Sequence, residues 1–149
     1  MRKIKKTVIM YLNHDSENGD DLMRRVVVDV QNTLFSDAIA VSLRSFDSDF
    51  EVTISEDPRE TADMCAYYSA NILIMEATSL NYSGFDERMK ITSEVRRTLP
   101  NCKVVLIVDE NAEQKLAEKV RLAKKDGLID SFIYSSVSSS YLAAVIDSL

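Results

Sequence analysis

Three carboxylates in this chain stand at the ends of apolar runs. Asp29 closes Arg25-Val26-Val27-Val28, Glu76 closes Asn71-Ile72-Leu73-Ile74-Met75, and Asp109 closes Val104-Val105-Leu106-Ile107-Val108. Short runs rich in valine and isoleucine read as buried strands of a parallel sheet. Acids at the same end of three such strands meet on one sheet edge. Gathered carboxylates are oxygen ligands for a hard divalent cation. With no cation among them, their like charges drive at least one pKa upward. Two expectations follow. One is an acidic pocket of Asp29 and Asp109 around Glu76, with weak divalent-metal binding through Asp29 and Glu76. The plainer one is that Glu76 and Asp109 cap loops or face solvent.

Other chemistries lack their residues. Three glycines leave no phosphate-cradling loop, and neither GxGxxG nor GxxxxGK[ST] occurs. Two cysteines (Cys65, Cys102) and one histidine (His14) cannot build a Cys/His zinc site. A Ser-His-Asp triad is open only through His14, in a polar loop-like stretch. A net charge of −6 and a pI near 4.8 argue against nucleic acid or an anionic membrane as the main partner. No run approaches a membrane span, and the basic start from Met1 to Lys6 leads into an apolar run that ends at Leu12 without a cleavage site. A cytoplasmic protein with reduced, buried cysteines is expected.

The elements that position the acids can be traced in order. At 149 residues the chain fits one domain. Residues 1–23, with the apolar run Thr7–Leu12 and a polar link through Asp21, read as an N-terminal extension. A strand over Arg25–Asp29 follows, then helical spacing from Thr33 to Phe46, and an alternating strand over Phe50–Ile54. Asp57-Pro58-Arg59-Glu60 carries a helix start, with Asp as N-cap, Pro at the first position and Glu at the third; that helix runs to about Ser69. After the strand ending at Glu76, a loop through Gly84 precedes a helix marked by Phe85, Met89, Thr92, Val95 (or Arg96) and Leu99 and stopped by Pro100. Ala112–Asp126 reads as a helix with Gly127 after it. Ser131–Tyr134 is the last strand, and Tyr141–Leu149 the closing helix. From residue 24 the order βαβαβαβαβα specifies a doubly wound five-stranded parallel sheet, flavodoxin-like, order 2-1-3-4-5, with its site at the C-terminal strand edge.

Residues 24–149 resemble the receiver domain of bacterial response regulators, the CheY-like fold. Arg25–Gln31 resembles the first strand with its acidic pair, and Asn71–Glu76 the strand ending in the phospho-acceptor aspartate. Gly84 lies eight residues past Glu76, where the family usually has glycine. Val105–Glu110 resembles the strand ending in threonine or serine, and Ser131–Ser136 the strand ending in lysine-proline. By that resemblance the pocket holds Mg²⁺ on two acids and accepts phosphoryl on an aspartate, answered by a hydroxyl and a lysine. Of this set only Asp29 is unchanged. Val30 stands for the second acid, Glu76 for the acceptor, Asp109 for the hydroxyl residue and Ser135 for the lysine. Phe132 falls at the family's signalling aromatic, a position a core aromatic also fills.

These departures point to a degenerate pocket. Phosphoryl transfer depends on a metal and fixed positive groups. A glutamate acceptor shifts the reacting oxygen by roughly 1.5 Å, which costs about 10²-fold in a positioned reaction. The resemblance therefore implies a pseudo-receiver with no catalytic residues and no cofactor beyond weak Mg²⁺. It would signal by protein contact or homodimerisation through residues 112–149, with switch-like positions at Asp109, Phe132 and Ser135. Any nucleic-acid contact would belong to a separate domain of a transcriptional regulator. A true phospho-accepting receiver and a flavodoxin-like binder of a small cofactor are the rival readings.

Overall fold

Runs of β-branched residues set the sheet. The computed structural model describes residues 23–80 and 83–149; the extension over 1–22 and its Thr7–Leu12 run, His14, and Asn81 and Tyr82 lie outside the described residues. Five strands, β1 (Arg24–Asp29), β2 (Phe50–Ile54), β3 (Ile72–Glu76), β4 (Lys103–Val108) and β5 (Ser131–Tyr134), form one sheet in the order β2-β1-β3-β4-β5, every pair parallel. Among the described residues the helices are α1 (Thr33–Phe46), α2 (Thr61–Tyr68), α3 (Phe85–Thr98), α4 (Gln114–Lys125) and α5 (Ser139–Asp147), with a 3₁₀ turn at Pro58–Glu60 before α2.

Both sheet faces are covered, which is why the central strands are apolar at consecutive positions and do not alternate. Side chains of one strand still point alternately to the two faces. Val26, Val28, Ile74 and Ile107 pack with Ile39 and Leu43 of α1 and Ile146 of α5. Val27, Leu73, Met75 and Leu106 pack with Cys65 of α2, Val95 of α3 and Val120 of α4. The site edge lies where β1, β3 and β4 run out of this double core.

Local chemistry fixes the helix ends. Asn32 caps α1, its side chain accepting from the Phe35 amide at 3.0 Å. Ser138 does the same for α5. The Asp57-Pro58 start is present but opens a 3₁₀ turn and not α2 directly: Asp57 accepts from the Arg59 amide, two residues on, and the α-helix begins at Thr61. Gly127 takes a left-handed φ of 77° just past α4, the stop its position predicts. Arg24 ties the far end of the molecule together. It donates to Asp47 after α1 and to Asp147 of α5, and lies 3.9 Å over the Phe50 ring.

Ser69 ends α2 in the left-handed region, at φ 53° and ψ 54°. A residue with a Cβ pays about 1 kcal/mol or more there, and glycine does not. Ser69→Gly is therefore expected to raise unfolding stability by up to about 1 kcal/mol in urea melts. An equal loss would show that the serine side chain outweighs its backbone.

Candidate functional site

The C-terminal end of β1 delivers Asp29 to the edge, where it is 1% exposed. The carboxylate does not meet two further acids. It meets Arg88, from the first turn of α3, which is itself fully buried. Long side chains on a helix point back toward its N-terminus, so an arginine one turn into α3 reaches over the loop to the strand ends. Arg88 Nη1 donates to Asp29 Oδ2 at 2.6 Å and Nη2 donates to Oδ1 at 3.2 Å. The same guanidinium donates through Nε to the Glu76 carbonyl at 2.7 Å, and through Nη2 to Ser83 Oγ at 3.2 Å. It thus joins the ends of β1 and β3 to the β3–α3 loop.

Hydroxyls complete the network. Thr61 Oγ1, at the start of α2, donates to Asp29 Oδ2 at 2.7 Å, and Ser55 Oγ lies 2.8 Å from Thr61 Oγ1. Asp29, Ser55, Thr61, Ser83 and Arg88 are all buried. A bidentate arginine–carboxylate pair is the strong form of this interaction, and burial makes its completeness matter. Removing one partner of a buried pair costs about 3–5 kcal/mol, because the other is left charged and unpaired.

Glu76 is half-buried beside this pair. Burial pushes its carboxyl above the ordinary range. Arg88 and the Gln31 amide, which bonds the carboxylate, oppose that shift, while the charges of Asp29 and Glu113 add to it.

Asp109 corrects the acidic-pocket expectation. It is exposed, and its Oδ1 accepts from the amides of Asn111 and Ala112, each at 2.9 Å. A short side chain at the head of a loop satisfies the nearest backbone donors. Glu113 reaches the site rim in its place, accepting from the Ser79 amide at 3.0 Å and from the Ser79 hydroxyl. Glu110 accepts from the Ser136 hydroxyl. Ser135 is exposed and its amide donates to the Val108 carbonyl. Phe132 is half-buried against the α2–α3–α4 side of the core and meets Tyr134 edge-on at 5.4 Å between centroids.

The donor set does not fit the divalent metal that the receiver pocket implies. Both Asp29 oxygens already accept from Arg88, Oδ2 accepts from Thr61 as well, and Val30 is a buried hydrocarbon where the second acid would stand. Among the described residues no group of three or more His, Cys, Asp or Glu side chains converges.

Arg88, Thr61 and Ser55 escaped the reading of the sequence. Arg88 shares a helical row with Thr92 and Val95, both buried. That i, i+4, i+7 spacing is the signal that could have found it, against the ordinary placement of an arginine in solvent.

No family model matches the chain, and no curated protein matches it. Solved structures do. A CheY-like receiver domain protein from Methanospirillum hungatei JF-1 superimposes with a TM-score of 0.68 at 13% identity, covering 85% of this chain and 92% of that one. The receiver domain of AraT, a response regulator from Geobacillus stearothermophilus, gives 0.67 at 18% identity, covering 85% and 92%. An orphan response regulator of H. pylori gives 0.66 at 14% identity, covering 84% and 94%. The fold is that of the CheY-like response regulator receiver domain. No helix among the described residues is long and apolar enough to cross a membrane.

Two outcomes test the site. Arg88→Met should cost about 3–5 kcal/mol of stability, while Asp29→Leu combined with Arg88→Met should cost much less than the sum of the single changes; additive costs in denaturant melts would show the pair is not coupled. The second concerns pH. The folded protein holds the Glu76 proton more tightly than the unfolded chain does. The group therefore favours folding below the ordinary glutamate value of about 4.3, and that contribution is lost as pH rises through the raised folded value. Glu76→Gln should remove this decline, so its stability gains on the native protein as pH rises. Parallel stability curves would contradict it.

Proposed function

We propose that this chain is a pseudo-receiver: a signalling module of the two-component type that works without phosphorylation and is not an enzyme. The observation that carries this reading is the Arg88 guanidinium bound through two nitrogens to Asp29. In a receiver, that acid serves a dissociable cation. Here the cation is covalently part of α3, so the positive charge that a bound metal ion would bring and take away is permanent.

The other positions support the same conclusion. Glu76, at the acceptor position, is a fixed half-buried acid held by the Gln31 amide. Asp109 and Ser135, in the places of the responding hydroxyl and the lysine, serve loop geometry. The module acts in the cytoplasm by protein–protein contact or dimerisation. Residues 112–149, which hold α4, β5 and α5, are its output surface, with Phe132 at their core. It fits the regulatory part of a transcriptional regulator in which nucleic-acid contact belongs to another domain.

Beryllofluoride with Mg²⁺ mimics a phosphoryl group and depends on an intact receiver pocket. Amide spectra of the protein should stay unmoved at Asp29, Glu76 and 112–149 when both are added at millimolar concentration, and acetyl phosphate should add no mass. Saturable shifts centred on Asp29 and Glu76 and spreading to α4 and α5, or a phosphoryl adduct, would identify a working receiver instead.

A further inference from the structure

The outer face of α1 differs from those of its neighbours. The exposed side of α4 is crowded with Lys115, Glu118, Lys119, Arg121, Lys124 and Lys125. On α1 two large apolar side chains stand in water: Leu34 is 80% exposed and Val41 61%. They are seven residues apart, with exposed Ala38 between them and exposed Ser45 after them. Spacings of four, three and four place all four on one narrow stripe, the seam of a two-heptad coiled coil. Ile39, Ala40 and Leu43 occupy the opposite, buried side. Among the described residues, the hydrophobic core includes neither Leu34 nor Val41.

Its flank is self-complementary. Asp37 and Arg44 are exposed, also seven residues apart, and lie on the same side of the stripe. Arg44 is held on that flank by a bond from Nη2 to the Val52 carbonyl at 2.9 Å. In an antiparallel helix pair related by a two-fold axis, equivalent flanks of the two helices face each other. An axis passing close to Val41 sets Asp37 of one copy against Arg44 of the other, twice by symmetry. It also brings the two Val41 side chains together and lays each Leu34 over the C-terminal turn of the opposite α1. A chain of net charge −6 repels its own copies. On the α1 flank the charges of two copies cancel in pairs.

We propose that α1 is a self-association surface, on which two copies of this chain pair antiparallel through Leu34, Ala38 and Val41, with Asp37–Arg44 bridges along the seam. The contact leaves α4, β5 and α5 open to a different protein. It stands whether or not the Asp29 pocket accepts phosphoryl. A 14-residue helix is about 21 Å long. Such a seam falls short of the roughly 1,600 Å² of a standard stable interface, so the pairing is weak and concentration-dependent.

Sedimentation equilibrium of the full chain tests it. The average mass should climb from monomer toward dimer between about 10 μM and about 1 mM, and Leu34→Glu should abolish the rise. Asp37→Arg and Arg44→Asp should each weaken association by about tenfold, since each sets like charges across the axis. An equimolar mixture of these two variants should associate again, because every cross-pair then sets a cation against an anion. That recovery cannot come from misfolding. A monomer at every concentration, a dimer indifferent to Leu34→Glu, or a mixture of the two folded charge variants that stays monomeric would overturn the proposal.

Discussion

A guanidinium sealed against a carboxylate inside a protein leaves its surroundings little freedom. Arg88 and Asp29 are both out of water, and each is tolerable there only while the other is in place. The positions of β1, β3, α3 and the start of α2 are therefore set relative to one another. Arg88 supplies donors to the end of β1, the end of β3 and Ser83, while Thr61 brings the α2 end to the same carboxylate. A shift of α3 along its axis by even a fraction of a turn would strand a charge. This constraint makes the strand edge around Asp29 a fixed joint.

Around the joint, the loops are held by local pairs that need no ligand. The β4–α4 loop carries three acids with three separate duties: Asp109 folds its own loop, Glu110 holds Ser136 of the β5–α5 loop, and Glu113 holds Ser79 of the β3–α3 loop. Carboxylate–serine contacts thus bridge neighbouring loops across the rim. The charge that would otherwise accumulate among Asp29, Glu76 and Asp109 is dispersed in two ways. Arg88 neutralises the first, and the loop amides of Asn111 and Ala112 turn the third away. Glu76 keeps a raised affinity for its proton, from burial first.

Much of the fold was legible because it follows from periodicity. Val26–Val28, Ile72–Met75 and Val104–Val108 are apolar without alternation, and only strands covered on both faces require that. The caps at Asn32 and Ser138 and the stop at Gly127 each follow from one residue type with one conformational use. The pocket was less legible because its decisive contact joins residues 59 positions apart. Strand ends place three carboxylates on one edge, but nothing in their spacing shows where each side chain turns. Asp109 had amides within three residues and took them. Arg88 could be read only by giving its helical row more weight than its charge, since a buried arginine is rare unless paired.

The central claim is that Arg88 permanently fills the cation position beside Asp29. The most direct measurement is the nitrogen-15 spectrum of the arginine side chains, with assignment of the Arg88 Nε–H by substitution. Sealed from water and bonded to the Glu76 carbonyl, that proton should give a sharp signal at neutral pH, exchange slowly with solvent and stay in place in millimolar Mg²⁺. An Arg88 signal exchanging as fast as those of surface arginines, or displaced by Mg²⁺, would contradict the claim.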